Sequence, residues 1–296
     1  MAQVPNIDFS SFVAGRKSSH VGGGAEGHDY AYISDRNTRL AFQKMAPVEY
    51  AVAATVRMFK AVGKNELLGH TVRVTERQFP RIHALNVQAA QTLGIPTPTL
   101  YVGQNPHLNA GTYGTNDDAF ILVNGSLIDH FSDAEILDIL GHECGHIQNN
   151  HVVYMTTLHM LTNVLNRYLW WFIYPATVAL RAWSRRAEIT CDRAGLLVVK
   201  DLPVSMKGLM KLALGSQKLY EQLDLDEYLS QFEDGKKGIG RISEILATHP
   251  YVPKRVKALK AFSETALYRK AAGIGEGGTT MEECDNLVHD IIKVIA

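Results

Sequence analysis

The chain has 296 residues, of which 46% are apolar, and its 30 basic and 30 acidic side chains give a formal net charge of zero. The apolar content suffices for a folded core and excludes a chain that is disordered as a whole. The zero charge argues against general nucleic-acid binding, which draws its affinity from neutralised phosphates. Three cysteines, Cys144, Cys191 and Cys284, do not suit a paired disulfide framework, so free thiols in a reducing compartment are expected.

The N-terminal region is expected to be a flexible arm over residues 1–35, because it is rich in Gly and Ser. It lacks the basic and then apolar pattern of a secretory signal, which predicts a cytoplasmic protein, either soluble or peripherally associated with a membrane. One domain is expected over residues 36–265, followed by a C-terminal linker and helix over 266–296.

Several helices and short strands are predicted in the first half of the domain. Apolar spacing predicts a helix from about 37 to 62, ending at Gly63, and another over 79–93. Alternating residues predict strands at 71–75, 99–102 and 119–123, with a further strand near 108–112.

Helices dominate the second half of the predicted fold. Ser132 and Glu135 have the spacing of a capping box, which predicts that a helix begins there. Further helices are expected at 183–199, 204–221, 254–262 and 281–295. A helix, a small mixed sheet and then more helices indicate the α+β class.

The capped helix carries the sequence His142-Glu-Cys-Gly-His146, an HExxH pattern. Helical spacing places the two imidazoles on one face, where both can bind a single zinc ion. Glu143 lies one step round the helix, beside the open position of the metal, which suits a general base acting on water. Gly141 and Gly145 are expected to leave the metal side uncrowded.

A catalytic zinc needs a third protein ligand, and Glu188 is the best candidate. Asp192 is four positions further along a predicted helix and suits a hydrogen bond to a ligand histidine. From spacing alone, both carboxylates could instead pair with Arg185, Arg186 or Arg193 on a solvated face. Cys144 and Cys191 are interpreted as packing residues, and His151 and His159 as polar groups near the cleft.

Three motifs in this order resemble the HtpX-type zinc metallopeptidases, the gluzincin family that includes the CAAX prenyl proteases. They are HExxH, the segment Glu188 to Gly195, and Thr248-His-Pro250 followed by Arg255 and Leu259. Asn109-Ala110 and the segment Phe120 to Leu127 resemble the family's strands before the active-site helix. The resemblance runs from about Val72 to Phe262.

The resemblance implies a zincin-like fold with one zinc ion per chain on His142, His146 and Glu188. It also implies that Glu143 acts as general base and acid and that Asp192 supports a ligand histidine. His249 is implied to stabilise the oxyanion, and Asn109 and Ala110 to contact the substrate. HtpX-type proteins usually have membrane spans before the HExxH helix, whereas none is evident here, so the chain resembles the soluble or peripheral members.

An apolar insert over residues 152–181 has three interpretations. Five of its seven residues from Tyr168 to Tyr174 are aromatic, and arginines lie on both sides, at 167, 181, 185 and 186. The insert is interpreted as a buried helical hairpin, a peripheral membrane anchor through 168–186, or an oligomer contact. Pro175 is expected to break any helix near the centre of the insert.

The predicted function is a zinc-dependent endopeptidase that hydrolyses peptide bonds with metal-activated water. Its polypeptide substrate is expected to pair along the strand at 119–124 or along Asn109-Ala110, and the resemblance suggests misfolded or membrane-associated proteins. The alternative is a zinc-stabilised chaperone-like or binding module, which the intact Glu143 disfavours. An aminopeptidase would need an acidic anchor for the substrate amine, and the sequence does not identify one.

Overall fold

The computed structural model describes residues 28–42, 44–58, 69–163, 170–234 and 252–293. In these ranges the chain is mostly helical. The helices, in chain order, are α1 Ile33–Phe42, α2 Ala46–Met58, α3 Pro80–Leu93, α4 Gly125–His130, α5 Asp133–Gln148, α6 Val152–Asn163, α7 Trp170–Val199, α8 Leu202–Leu214, α9 Gln217–Tyr220, α10 Leu225–Asp234, α11 Val252–Ser263, α12 Ala266–Ala271 and α13 Met281–Ile292.

A small mixed sheet lies between α2 and α4 in the chain. Its strands are β1 Thr71–Arg73, β2 Thr99–Gly103, β3 Ala110–Thr115 and β4 Asp118–Asn124, in the spatial order β1-β2-β4-β3. β2 and β4 are parallel, whereas the two outer pairings are antiparallel. The predicted α+β class is therefore confirmed.

The strand order decides between the two predicted substrate paths. β4 is hydrogen-bonded to β2 on one side and to β3 on the other, so its backbone groups are already used. A substrate strand along 119–124 is therefore wrong. Among the strands that the structure describes, β3, which begins at Ala110, lies at the edge of the sheet, and one of its sides pairs with none of them.

α5 begins at the predicted capping box and runs through the middle of the main core. The backbone N–H of Glu135 donates to Ser132 Oγ, and Glu135 Oε2 accepts from the backbone N–H of Ser132 at 2.8 Å. The main core joins the sheet, α5, the second half of α7 and α11, through buried residues that include Ile121, Leu140, Leu196 and Phe262. The HExxH helix is thus held on several sides by apolar packing.

The first half of α7 and α6 belong to a second apolar cluster with α1 and α2. Its buried members include Phe42, Val48, Tyr154, Leu158 and Trp183. The described part of the insert therefore contributes to a core, as expected for a buried helical hairpin. Tyr174 and Val178 are exposed on α7, and the membrane and oligomer contacts stay predictions. Within the described ranges, no helix is both long and apolar enough to span a membrane.

Several predicted boundaries are wrong. Residues 28–35 are not part of a flexible arm, because Tyr30, Tyr32 and Asp35 are buried; residues 1–27 lie outside the described residues. The predicted helix from 37 to 62 is two helices, α1 and α2, and residues 59–68 are not described. Pro175 lies inside α7, so the helix break expected there is wrong. The helix predicted over 204–221 ends at Leu214, where Gly215 adopts a φ of 64°.

Candidate metal centre

Two adjacent helices bring the predicted metal ligands together. His142 and His146 lie on α5 and Glu188 lies on α7. The Nε2 atom of His142 is 3.6 Å from Glu188 Oε2, and the Nε2 atom of His146 is 3.7 Å from Glu188 Oε1. The side chains of His146 and Glu188 are almost fully buried, and that of His142 is 14% exposed. The two imidazoles therefore face one carboxylate from the same side.

Glycines on α5 allow α7 to approach this closely. A Cβ atom at Gly145 would lie 2.7 Å from Ala194 Cβ, and one at Gly141 would lie 2.9 Å from Val198 Cβ. Gly195 on α7 is equally confined, because its Cβ would lie 2.8 Å from the backbone oxygen of Asp138. The two α5 glycines thus serve the packing against α7, which carries Glu188, rather than only leaving the metal side uncrowded.

Asp192 contacts His142 as the sequence predicts, and its role in supporting a ligand stays a prediction. His142 Nδ1 is 3.0 Å from Asp192 Oδ1, which leaves Nε2 directed toward Glu188. Arg255 on α11 donates to both oxygens of Asp192, from Nε at 2.8 Å and from Nη2 at 2.5 Å. The same Nη2 atom is 3.2 Å from Glu188 Oε2. One guanidinium therefore fixes both carboxylates.

The charges around His142 favour a cation. Burial alone would raise the pKa of Asp192, but Arg255 and the hydrogen bonds from Arg255 and His142 lower it below its usual range. Burial would lower the pKa of His142, but the hydrogen bond to Asp192 and the charge of Glu188 raise it to about 9. Surroundings that stabilise a proton on an imidazole also stabilise a metal ion at the same nitrogen.

Glu143 lies next to the ligands and is held by the edge strand. The hydroxyl of Thr112 on β3 donates to Glu143 Oε2 at 2.6 Å. Both side chains are buried, with Glu143 only 6% exposed. The sheet therefore positions the predicted base, a contact that the sequence did not predict.

The donor set fits zinc. Ligand atoms about 2.0–2.2 Å from a tetrahedral zinc ion are about 3.3–3.6 Å apart, close to the distances between the imidazole nitrogens and the Glu188 oxygens. Cys191 also lies near the two histidines. One ligand atom from each of Cys191, His142 and His146 lies within 4.8 Å of the other two. Burial raises the pKa of the Cys191 thiol well above its usual range, which opposes the thiolate form that a metal binds. Glu188 stays the predicted third ligand, and Cys191 is a second candidate. Cys144 is buried in the main core, as predicted.

Comparison with known proteins identifies the family. The model of peptidase family M48 matches residues 76–263. The chain belongs to peptidase family M48. It is 31% identical over 260 residues to the plastoglobule-localized metallopeptidase 48 of Arabidopsis thaliana chloroplasts, covering 81% of this chain and 74% of that protein. It is 26% identical over 208 residues to the protease HtpX of Vibrio vulnificus, covering 58% and 69% of the two chains.

A protease HtpX homolog of Thermoanaerobacter pseudethanolicus is 23% identical over 218 residues, covering 62% of this chain and 72% of that protein. The predicted HtpX-type membership is therefore confirmed, and the chain is a metalloprotease of family M48. His249 falls within the matched range but lies outside the described residues, so its role stays a prediction.

Asn109 and Ala110 lie where β3 begins. The backbone oxygen of Asn109 accepts from the backbone N–H of Asn124 at 3.0 Å. Hydrogen-bonding direction alternates along an antiparallel strand, so the backbone groups of Ala110 and Thr112 face away from β4. Consistent with this alternation, the backbone N–H of Gly114 donates to Thr156 Oγ1 on α6 at 3.1 Å.

Sequence reasoning missed several residues around the M48 centre. The sequence predicts Arg255 only as part of a motif, five residues after Pro250, and does not predict its contacts with the carboxylates. His151 was interpreted as a polar group near the cleft, but its side chain is fully buried and its Nδ1 atom is 3.2 Å from His146 Nδ1. No local pattern marks Asp35 or Thr112.

Proposed function

We propose that this M48 metalloprotease is a zinc-dependent endopeptidase. The observation that carries the proposal is the convergence of His142 and His146, through their Nε2 atoms, on the carboxylate of Glu188. With Glu143 beside them, these residues match the zincin arrangement of three protein ligands and a general base. The packing of α5 against α7 and the contact of β3 with Glu143 support this proposal.

In this proposal His142, His146 and Glu188 hold the zinc ion. When bound, zinc supplies a Lewis acid that polarises the scissile carbonyl and lowers the pKa of water in its shell. Asp192 and Arg255 keep the ligands oriented, since the Asp192 carboxylate fixes which nitrogen of His142 faces the metal.

Glu143 moves the protons. Its carboxylate takes a proton from the attacking water and then gives it to the nitrogen of the leaving amine. The Thr112 hydroxyl, which donates to Glu143 Oε2 at 2.6 Å, holds that carboxylate in place. Because Glu143 is buried, the proton does not escape to bulk solvent between the two steps.

An extended polypeptide is the proposed substrate. The outward-facing backbone groups of Ala110 and Thr112 on β3 can pair with a substrate main chain, which places a peptide bond beside Glu143. Main-chain pairing reads little sequence, so unfolded segments of many proteins would fit. Such pairing requires no free terminus, which favours internal cleavage.

The test compares wild type with Glu143→Gln on casein and on a peptide blocked at both ends. Wild type should carry about one zinc ion per chain and cleave both substrates. Glu143→Gln should keep its zinc but lose about two to four orders of magnitude in kcat/KM, because an amide cannot accept the proton.

Three results would contradict parts of this proposal. Cleavage by Glu143→Gln at the wild-type rate would remove the general base. Zinc-loaded wild type that binds unfolded casein without cutting it would favour the chaperone-like alternative. Cleavage only of peptides with a free amine would indicate an aminopeptidase.

A further inference from the structure

A buried chain of polar groups runs from His146 away from the metal side to helix α1. His146 Nδ1 is 3.2 Å from His151 Nδ1. His151 Nε2 is 3.1 Å from Asp35 Oδ2, but the angle of this second contact departs from that of an ideal hydrogen bond. His151 and Asp35 are at most 1% exposed, and His146 is 4% exposed. Water therefore does not compete for these contacts.

The turn after α5 puts His151 beneath His146. Asn150 has a φ of 58°, a left-handed conformation that asparagine tolerates better than most residues. The chain therefore reverses, and the backbone N–H of His151 donates to the backbone oxygen of His146 at 2.9 Å. His151 also makes an edge-to-face contact with the ring of Trp183. The imidazole is thus fixed on several sides.

Asp35 is held as firmly as His151. Trp183 Nε1 donates to Asp35 Oδ1 at 2.7 Å, and the hydroxyl of Thr190 donates to Asp35 Oδ2 at 2.6 Å. Burial alone would raise the pKa of Asp35, but His151 and the hydrogen bonds from Thr190 and Trp183 lower it instead. Both donors lie on α7, the helix that carries Glu188, so the carboxylate is tied to the metal centre from this side as well.

Metal binding at His146 would set the direction of this chain. With Nε2 of His146 on the metal, Nδ1 carries the hydrogen and donates to His151 Nδ1. His151 then carries its own hydrogen on Nε2, which faces the Asp35 carboxylate. Cys191 Sγ is 3.6 Å from the same Nδ1 atom of His151 and, as a buried thiol, leaves that direction unchanged.

We propose that His151 and Asp35 are positioning residues that orient His146 for the metal, and that α1 therefore completes the metal centre. The inference rests on the proposed function, since it assumes a metal on His146. It parallels the support of His142 by Asp192, with one imidazole inserted between ligand and carboxylate. Asp35 lies outside the range 76–263 that matches family M48, so this support is an addition to the matched domain.

The test measures zinc affinity by competition with a chelator in wild type, Asp35→Asn and His151→Phe. Each substitution conserves shape and removes either the carboxylate charge or the Nδ1 acceptor. We expect zinc binding that is weaker by about 10–100-fold in both. With cobalt(II) in place of zinc, each variant should have a visible absorption spectrum that differs from that of cobalt-loaded wild type. Loss of stability alone does not change that spectrum.

Asp285→Asn is the matched control. Asp285 accepts from the backbone N–H of Ile33 and from Arg193, so it anchors the same N-terminal segment without touching His151. We expect this variant to unfold more easily but to bind zinc within about twofold of wild type. Thr190→Val removes one donor to Asp35, and its zinc affinity should fall a few-fold. If Asp35→Asn and His151→Phe do not fold, this variant tests the positioning role in their place.

The outcomes separate the two proposals. Wild type that binds zinc tightly, with Asp35→Asn, His151→Phe and Thr190→Val equal to it, overturns the positioning role and leaves the proposed function intact. Loss of affinity in Asp285→Asn as large as in Asp35→Asn also overturns it, because the effect would then belong to packing of the segment. Wild type that binds no zinc overturns the proposed function and this inference together.

Discussion

Replacing Gly145 by alanine should push α7 away from α5 and weaken the metal centre. The new Cβ would lie 2.7 Å from Ala194 Cβ and 3.3 Å from Cys191 Cα, whereas carbon atoms in contact settle at about 3.5–4.0 Å. Neither neighbour is the end of a flexible side chain, so the helices themselves must move. Because α7 carries Glu188, its carboxylate moves relative to the imidazoles on α5.

The expected magnitude follows from two opposing effects. Overpacking a tight contact costs about 1–3 kcal/mol, whereas alanine in a helix interior is about 0.8–1 kcal/mol better than glycine. The two effects leave an expected loss of up to about 2 kcal/mol in the free energy of unfolding of Gly145→Ala. Zinc affinity should fall by about tenfold, because the third ligand is displaced while the two histidines stay in place.

Gly208→Ala is the control for this experiment. Gly208 also lies inside a helix, α8, but its Cβ would meet only Asp138 Oδ2, at 3.7 Å. That variant should keep its zinc affinity and gain up to about 1 kcal/mol of stability. Urea unfolding and chelator competition measure both quantities. If the two alanine variants behave alike, the close contact between α5 and α7 does not set the geometry of the ligands.

Four further substitutions test the centre. Arg255→Met leaves two buried carboxylates without their cation, so urea unfolding of the metal-free protein should show a loss of about 3–5 kcal/mol; less than about 1 kcal/mol would contradict the geometry. Glu188→Ala should lose most bound zinc on dialysis while Cys191→Ala keeps it, and the opposite result would make Cys191 the third ligand. Thr112→Val should lower kcat by about tenfold at unchanged zinc content, and an unchanged kcat would argue against positioning of Glu143.

The features that the sequence predicted well are local. A helix brings residues four positions apart onto one face, so HExxH places His142 and His146 together, with Glu143 beside them, before any tertiary contact is known. The capping box specifies where that helix begins, through hydrogen bonds between Ser132 and Glu135 alone. Asp192 followed from Glu188 by the same helical spacing.

The features that the sequence did not predict depend on distant contacts. Arg255 meets Asp192 across 63 positions, and Asp35 meets Thr190 across 155, which no periodicity records. The order of strands is equally non-local: alternation predicted a strand at 119–123 but not that it lies between two others. A composition rich in Gly and Ser predicts an arm up to residue 35, yet Tyr30, Tyr32 and Asp35 are buried, and Thr190 on α7 is a hydrogen-bond partner of both Tyr32 and Asp35.

The two imidazoles of the metal centre are supported from opposite ends of the chain. His142 contacts Asp192, which in turn accepts from Arg255 on α11. His146 contacts His151, which in turn faces Asp35 on α1. These outer helices also contact the same element, α7, which carries Glu188. The geometry of the centre therefore depends on the folding of both α1 and α11. A metal ion that binds only the folded centre should stabilise both helices, because binding to the folded state stabilises every segment that the site needs.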